Sequence, residues 1–567
     1  MRESLTIVIS GEAGQGLQTC EDLIMNSSSK QYYVYSCSDV MSRVRGGNNT
    51  VEIRVSNFHV YAYKNKIDIL FLLNDHSFDR LKNRIGDNTI VFGEESFASR
   101  SFIENKNGKF IELNLEYLAK KAGSKLFTNT ILYGFTAGLL DLDSDKCHRQ
   151  IEDRFKKLND NIISDNKKAF DIGYQDLKKN NIQIKVTKSE EAKNYKVLHG
   201  NTAVGIGALA GGCNFISAYP MSPGTGLLEY LAEKSQDFEV IVEQAEDEIA
   251  ALNMVIGAWY GGARAITTTS GGGFSLMHEA VSLSAMTETP CVIHLAQRPG
   301  PATGLPTRTE QADLTNAVYA GHGEFSRIVL APGKLEDGVL LTQKAFYFAD
   351  KYQVPVIILT DQHFLESIGQ MKKFTLNEKY LKSYIVKTNK DYKRYELNES
   401  GISDRGIPGY GEGFVKVDSD EHDENGSITE DFDMRVKMNK KRLARKQLIL
   451  SDYVDADLIG PKTYKHLIVG WGSTYGVLKE FIEGREKQDT AFLYVKQVFP
   501  LDKRLLDYFS SNKTIIVIEN NSTGQFANLL QQELGINIQH RVNKYSGEPF
   551  SIEEIERSLE EVLNEKI

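Results

Sequence analysis

Cysteine is scarce in this 567-residue sequence: Cys20, Cys37, Cys147, Cys213 and Cys291 are scattered and never form a CxxC pair. That spacing argues against an iron–sulfur cluster, a structural zinc or a disulfide framework, and no metal-ligand set is expected on the chain. No apolar run is long enough to span a bilayer, and the opening MRESLTIVISGEAGQG reads as a first strand rather than a signal peptide. A membrane role is therefore not expected, and the cytoplasm is the default location. Excess positive charge is missing as well. A formal net charge of -9 leaves no global basic footprint, which counts against nucleic acid or an anionic membrane as the main partner. What remains is a globular composition with length for three or four domains of about 150 residues each.

The densest information lies between Tyr219 and Leu314. YPMSPGTG begins at Tyr219, EQAEDEIAALNMVIGAWYGG at Glu243, TTTSGGGFSLMHE at Thr267 and QRPGPATGLPTRTEQADL at Gln297. Helical spacing puts Glu248, Leu252, Val255 and Trp259 on one face, so a carboxylate shares a stripe with large apolar side chains. A buried carboxylate is costly unless it is paired, so Glu248 either has a partner inside the protein or is reserved for a ligand; a rim position at a helix start is the alternative.

The chain reads as α/β throughout. LTIVIS followed by GEAGQG places Gly11, Gly14 and Gly16 in a strand–turn–helix that can point backbone N–H groups at an anion, although the spacing is not that of a dinucleotide fingerprint. Arg43 and Arg45 in SRVRGG can hold a phosphate or be solvated loop charges. From about residue 160 to 196 a Lys/Asn-rich stretch predicts a boundary helix and linker. A second unit from Gly200 alternates strands and helices through VPVIILTD, which predicts a doubly wound parallel sheet whose strand-end glycine loops converge on one crevice. The polar segment 386–460, with an acidic block around His422, reads as a surface excursion or intersubunit arm more readily than as a metal site. A last α/β unit opens at HLIVGWGSTYG.

In this order the motifs resemble the alpha subunit of 2-oxoacid:acceptor (ferredoxin) oxidoreductases with a gamma domain fused at the N-terminus, most of all the 2-oxoglutarate:ferredoxin enzymes. The likeness covers nearly the whole chain. GEAGQG and SRVRGGNNTVEIRVS are similar to the gamma domain (1–185), YPMSPGTG through PTRTEQADL to the pyrimidine-side domain of a thiamine diphosphate enzyme (196–385), and GWGSTYG through ENNSTGQ to a transketolase C-terminal-like domain (461–567), with 386–460 as the connecting arm.

The resemblance implies oxidative decarboxylation of a 2-oxoacid to its acyl-CoA, with electrons passing to ferredoxin. It implies that Glu248, with Glu246 as runner-up, hydrogen-bonds the cofactor's aminopyrimidine, with Gly271 and Gly272 in cofactor binding. Tyr219 and Pro220 belong to the substrate-binding loop, where Ser222 would present its hydroxyl to the substrate carboxylate, a serine in place of the family's more familiar threonine. Arg298 is the expected cation for that carboxylate, with Arg308 as an alternative or as the partner of a distal carboxylate; a domain-interface salt bridge is open for either. Gly11, Gly14, Gly16, Arg43 and Arg45 are the expected coenzyme A phosphate contacts. No GDG with a following spaced Asn is present to hold Mg²⁺ and a diphosphate, since GDN at Gly86 lies in the wrong domain. A separate beta subunit is therefore expected to bring the diphosphate site, Mg²⁺ and a 4Fe-4S cluster, in a complex that dimerises as alpha-beta units. Two other readings stay open: a non-redox thiamine diphosphate decarboxylase or transketolase-like enzyme, and a CoA-binding regulatory subunit.

Overall fold

A computed structural model describes residues 2–41, 46–105, 109–179, 182, 184–484, 489–509 and 513–563. Three sheets organise them. In the first, the apolar run of Ser4–Ala13 lies centrally, antiparallel to Gly46–Ser56 and parallel to Ile67–Leu72. Ile85–Gly93 and Lys109–Glu112 extend it in parallel on one side. On the other side Tyr33–Asp39 leads to two strands from far along the chain, Ile368–Lys372 and Tyr195–His199. The first sheet is thus completed by strands that flank the second unit in sequence.

The Lys/Asn-rich stretch forms the helix Asp160–Lys179, and it is no loose connector. It packs on the helix Thr128–Leu139 through two glycines. A Cβ on Gly134 would collide with the Phe170 carbonyl, and one on Gly173 with the Ile131 carbonyl. Backbone contact this close is open only to glycine, which fixes the crossing point of the pair.

The second sheet runs Ile328–Leu330, Pro355–Asp361, Cys291–Gln297, Ala265–Thr269, Phe215–Ala218, Ile241–Gln244, all parallel. Every residue of Cys291–Gln297 and Pro355–Asp361 is buried, as expected for a parallel sheet covered on both faces. One antiparallel edge strand, Gln497–Phe499, is contributed from the C-terminal region. The third sheet holds Thr490–Val495, His466–Trp471, Thr514–Glu519 and His540–Asn543 in parallel, with Asp457–Ile459 antiparallel at its edge.

The units are joined by buried charge. Arg54 of the first sheet makes a two-pronged ion pair with Glu480, reaching 2.7 Å and 2.9 Å, and Glu480 also accepts from the backbone N–H of Tyr61 and Ala62. A Cβ on Gly476, one turn earlier on the same helix, would meet the Tyr61 carbonyl.

The segment 386–460, expected as a surface excursion, is instead a strap packed on the second unit. Buried Arg405 pairs with Asp350 at 2.6 Å, and Asp350 also holds Arg264. His422 is buried and stacked on Tyr395 at 3.9 Å, while Glu421 beside it pairs with Arg435 and Arg442. Among the described residues no cluster of three metal-ligating side chains occurs. The charge partners of the acidic block lie on the helix Phe432–Ser451, a full loop away in sequence, so the local pattern does not show its burial.

That helix also supplies Lys441 and Arg445 to fully buried Glu288, the lysine at 2.7 Å. Arg445, Lys441 and Arg394 together hold the Glu288 carboxyl well below the usual carboxylate range, against the opposing effect of burial. Its folded pKa is depressed, so its contribution to stability is present above the ordinary carboxylate pKa and is lost as pH falls. Glu288→Ala leaves two buried cations without their anion and is expected to cost about 3–5 kcal/mol. Urea unfolding at pH 7 measures this, and the difference from the parent should shrink in acid.

Candidate active-site crevice

The second sheet reverses its winding between Phe215–Ala218 and Ala265–Thr269: the chain leaves the first of these for the outer strand Ile241–Gln244, then crosses to the other side. A crevice forms outside the carboxyl ends of the strands at such a reversal. Three elements with glycine-rich or acidic starts leave the sheet there.

After Ala218 comes the loop Tyr219–Gly224. Tyr219 is 41% exposed, Pro220 is half-buried and Ser222 is exposed. The loop hangs on the sheet through Thr268, whose hydroxyl donates to the Gly224 carbonyl at 2.9 Å. That donor commitment orients the rest of the network. With its one proton used, Thr268 accepts from His294 Nδ1 at 2.9 Å, and His294 Nε2 accepts from the Thr360 hydroxyl at 2.8 Å. His294 is fully buried, and burial alone depresses its pKa to about 3. It is therefore a neutral brace across three strands.

After Gln244, Asp247 caps the helix Glu248–Tyr260 by accepting from the Ala250 N–H at 2.7 Å. Glu248 is the first residue of that helix and is only 4% exposed, while Glu246 two residues earlier is exposed. Leu252, Val255 and Trp259 continue the same face in full burial. Among the described residues Glu248 Oε1 has no hydrogen-bond partner. Glu248 thus stands at a helix start but is buried, not at a rim.

After Thr269 comes Ser270 and the glycine run. A Cβ on Gly273 would lie 2.5 Å from Glu248 Oε1 and would also strike the Thr269 hydroxyl, so Gly273 is the glycine that makes room for the carboxylate. Gly271 faces Asp313 in the same way, and Gly272 is exposed.

Arg298 follows the strand Cys291–Gln297 and donates from Nη1 to the Ser222 carbonyl at 2.7 Å. Among the described residues it makes no ion pair, and it lies at the loop that carries the Ser222 hydroxyl. Asp313 is close enough to act on it electrostatically. Burial raises the Asp313 carboxyl to about 6, Glu310 adds to the rise and Arg298 opposes it. The backbone N–H of Asp313 is held by Gln297 Oε1 at 2.9 Å.

Arg308 is placed differently. It is ion-paired with Asp39 of the first sheet, an aspartate shared with Arg80, and its side chain packs on Gly547 of the C-terminal unit. In the N-terminal turn, Gly11 lies within the strand, while Gly14 and Gly16 adopt φ of 90° and 69°. Gly16 caps the helix Leu17–Ser28 without a side-chain hydrogen bond. Arg43 and Arg45 lie outside the described residues.

Sequence reasoning passed over three residues of this crevice. His294 had a signal, as the one strongly polar side chain inside VIHLA. Gly273 had one in the glycine run after TTTS, and Asp313 had none, because its role depends on what it faces across the fold.

Fold and site together define a multi-sheet α/β protein with a crevice at the strand ends of its second sheet. Residues 206–441 match the family described as pyruvate flavodoxin/ferredoxin oxidoreductase, thiamine diP-bdg, and residues 6–176 match pyruvate ferredoxin/flavodoxin oxidoreductase. The chain is 30% identical to the 2-oxoacid:ferredoxin oxidoreductase subunit alpha of a Sulfolobus species, over 99% of this chain and 97% of that one. It is 32% identical to the 2-oxoglutarate synthase subunit KorA of Methanocaldococcus jannaschii, over 56% of this chain and 87% of that one. Among solved structures, a 2-oxoglutarate:ferredoxin oxidoreductase from Magnetococcus marinus, with 2-oxoglutarate, coenzyme A and succinyl-CoA bound, superposes with a TM-score of 0.92 at 29% identity, covering 99% of this chain and 100% of that one. The chain belongs to the 2-oxoacid:ferredoxin oxidoreductase alpha subunits.

Proposed function

We propose that this chain is the alpha/gamma subunit of an enzyme that decarboxylates 2-oxoglutarate oxidatively to succinyl-CoA, passing electrons to ferredoxin through a beta subunit. The observation that carries the reading is the buried, unpartnered Oε1 of Glu248 at the sheet's reversal point. A carboxyl oxygen left without a partner in that position fits the ring nitrogen of an aminopyrimidine, so these residues suit thiamine diphosphate. When bound, that cofactor supplies the nucleophilic carbon and the electron sink.

The chain's own residues then divide the work. Glu248 holds and shares a proton at the pyrimidine nitrogen, and Gly273 keeps the space around it open. Gly271 and Gly272 line the cofactor's approach. Arg298 takes the 2-oxoacid carboxylate, beside the Ser222 hydroxyl on the Tyr219–Pro220 loop. The ion pair of Arg308 with Asp39 favours a role in joining domains over a role at the distal carboxylate. The turn of Gly11, Gly14 and Gly16 is the proposed contact for a coenzyme A phosphate. The beta subunit supplies the diphosphate wall, Mg²⁺ and a 4Fe-4S cluster, and alpha-beta units pair into a dimer. The five buried, unpaired thiols suit a reducing cytoplasm.

The test is co-purification from native cells, identification of the partner by mass spectrometry, and viologen reduction with a panel of 2-oxoacids. A cluster-bearing partner and CoA-dependent dye reduction fastest with 2-oxoglutarate are expected. A chain that binds CoA but supports no dye reduction would replace this reading with a regulatory one. Decarboxylation by the chain alone would favour a non-redox enzyme.

A further inference from the structure

A separate cavity of about 320 Å³ lies where all three sheets meet, away from the glycine loops of the crevice. Its wall comes from the first sheet and its Tyr195 edge, from the start of the helix Leu335–Tyr352, and from the start of the helix Thr474–Glu483. The volume is at the lower end of the range for small-molecule sites, roughly 300–1,000 Å³.

The wall alternates cations and rings. The Lys334 ammonium lies 5.5 Å from the centre of the Tyr475 ring, and Lys479 lies 5.8 Å from the same ring and 4.4 Å from Tyr61. Tyr61 stacks on His59 at 4.8 Å with an 8° tilt, His59 meets the Tyr195 ring at 4.7 Å, and Lys372 lies 5.1 Å from Tyr195. Three ammonium groups therefore converge along one stacked wall. Compensation is thin. Lys334 is 3.7 Å from Asp457 and Lys479 is 3.6 Å from Glu483, both at the edge of ion-pair distance, and Lys372 has no paired carboxylate among the described residues. Among the described residues Glu336 is the one carboxylate in the lining.

Two further features point inward. His59 Nδ1 is buried without a hydrogen-bond partner, and the His59 pKa is lowered to about 4 by burial and by Lys479 and Lys372, so the ring is neutral. The helix Thr474–Glu483 starts at the cavity with no side-chain cap and no acidic residue in its first turn, whereas the first turn of Leu335–Tyr352 carries Glu336 and Asp337. The unclosed start of Thr474–Glu483 and the clustered ammonium groups favour a polyanion, while stacked imidazole and phenol rings favour a flat aromatic. We propose that this three-domain cavity binds a nucleoside phosphate, its base against the His59–Tyr61 stack and its phosphates between Lys334, Lys372 and Lys479. The ligand is a free nucleotide, distinct from the coenzyme A proposed at the turn of Gly11, Gly14 and Gly16, which lies at the other end of the strand Ser4–Ala13.

Isothermal titration of the native complex with ADP, with inorganic phosphate and with CoA tests this. ADP is expected to bind once per chain, and Lys372→Gln with Lys479→Gln to weaken it about tenfold or more at unchanged melting temperature. Tyr61→Ala should weaken ADP while leaving phosphate unaffected. ADP is expected to bind alongside saturating CoA; CoA that displaces ADP would assign the binding to the coenzyme site and overturn the proposal. Absence of ADP binding, ADP binding indifferent to the double substitution, or phosphate binding as tightly as ADP would overturn the proposal.

Discussion

Glu248→Gln in the assembled enzyme is expected to lower turnover of the 2-oxoacid by roughly 10²–10⁴-fold, the range for removing a positioned proton-transfer group. Glutamine keeps the size of the side chain and its place against Gly273, so no cavity opens and the fold should persist. The substitution puts an amide where a carboxyl can hold or release a proton. Thermal unfolding of the variant should therefore match the parent, and binding of thiamine diphosphate should survive in weakened form. Deuterium exchange at the reactive carbon of the bound cofactor reads the step directly. Exchange at the parental rate in the Gln variant would remove Glu248 from the role and turn attention to exposed Glu246.

The second large effect is expected at Arg298. Arg298→Ala should reduce kcat/KM for the 2-oxoacid by about 30-fold or more, roughly 2 kcal/mol for a charge-assisted contact, mostly as a raised KM. The KM for CoA should hardly move. Arg298→Lys keeps the charge but lacks the planar fork, so it should recover only part of the loss. Arg308→Ala supplies the contrast. Its guanidinium is paired with Asp39 across a domain junction, so the variant should lose stability before it loses affinity for substrate. Equal losses for both substrates in Arg298→Ala would count against a specific carboxylate contact.

Much of the crevice was legible from residues alone, because its signals are local. A helix start with a carboxylate followed by Leu252, Val255 and Trp259 shows a buried stripe at the spacing of one helix face. Glycine loops after apolar runs mark strand ends, and strand ends of a parallel sheet lie on one side. The N-terminal strand–turn–helix was visible for the same reason. Other features were not, because they depend on distant partners. His294 is one histidine in an apolar strand until Thr268 and Thr360 are brought to its two nitrogens. Glu421 and Glu288 look solvated until the helix Phe432–Ser451 arrives with four basic side chains.

The sequence by itself determined the α/β class and where glycine loops leave strand ends, since periodicity and turn chemistry act over a few residues. Only the tertiary structure decided the edges and junctions. Ile368–Lys372 and Tyr195–His199 close the first sheet, and the polar strap lies buried on the second unit. The lysines and rings of the three-domain cavity meet from segments hundreds of residues apart. Backbone pairing at a sheet edge and compensation of buried charge are set by whatever the fold brings alongside, and a local pattern holds no record of that partner.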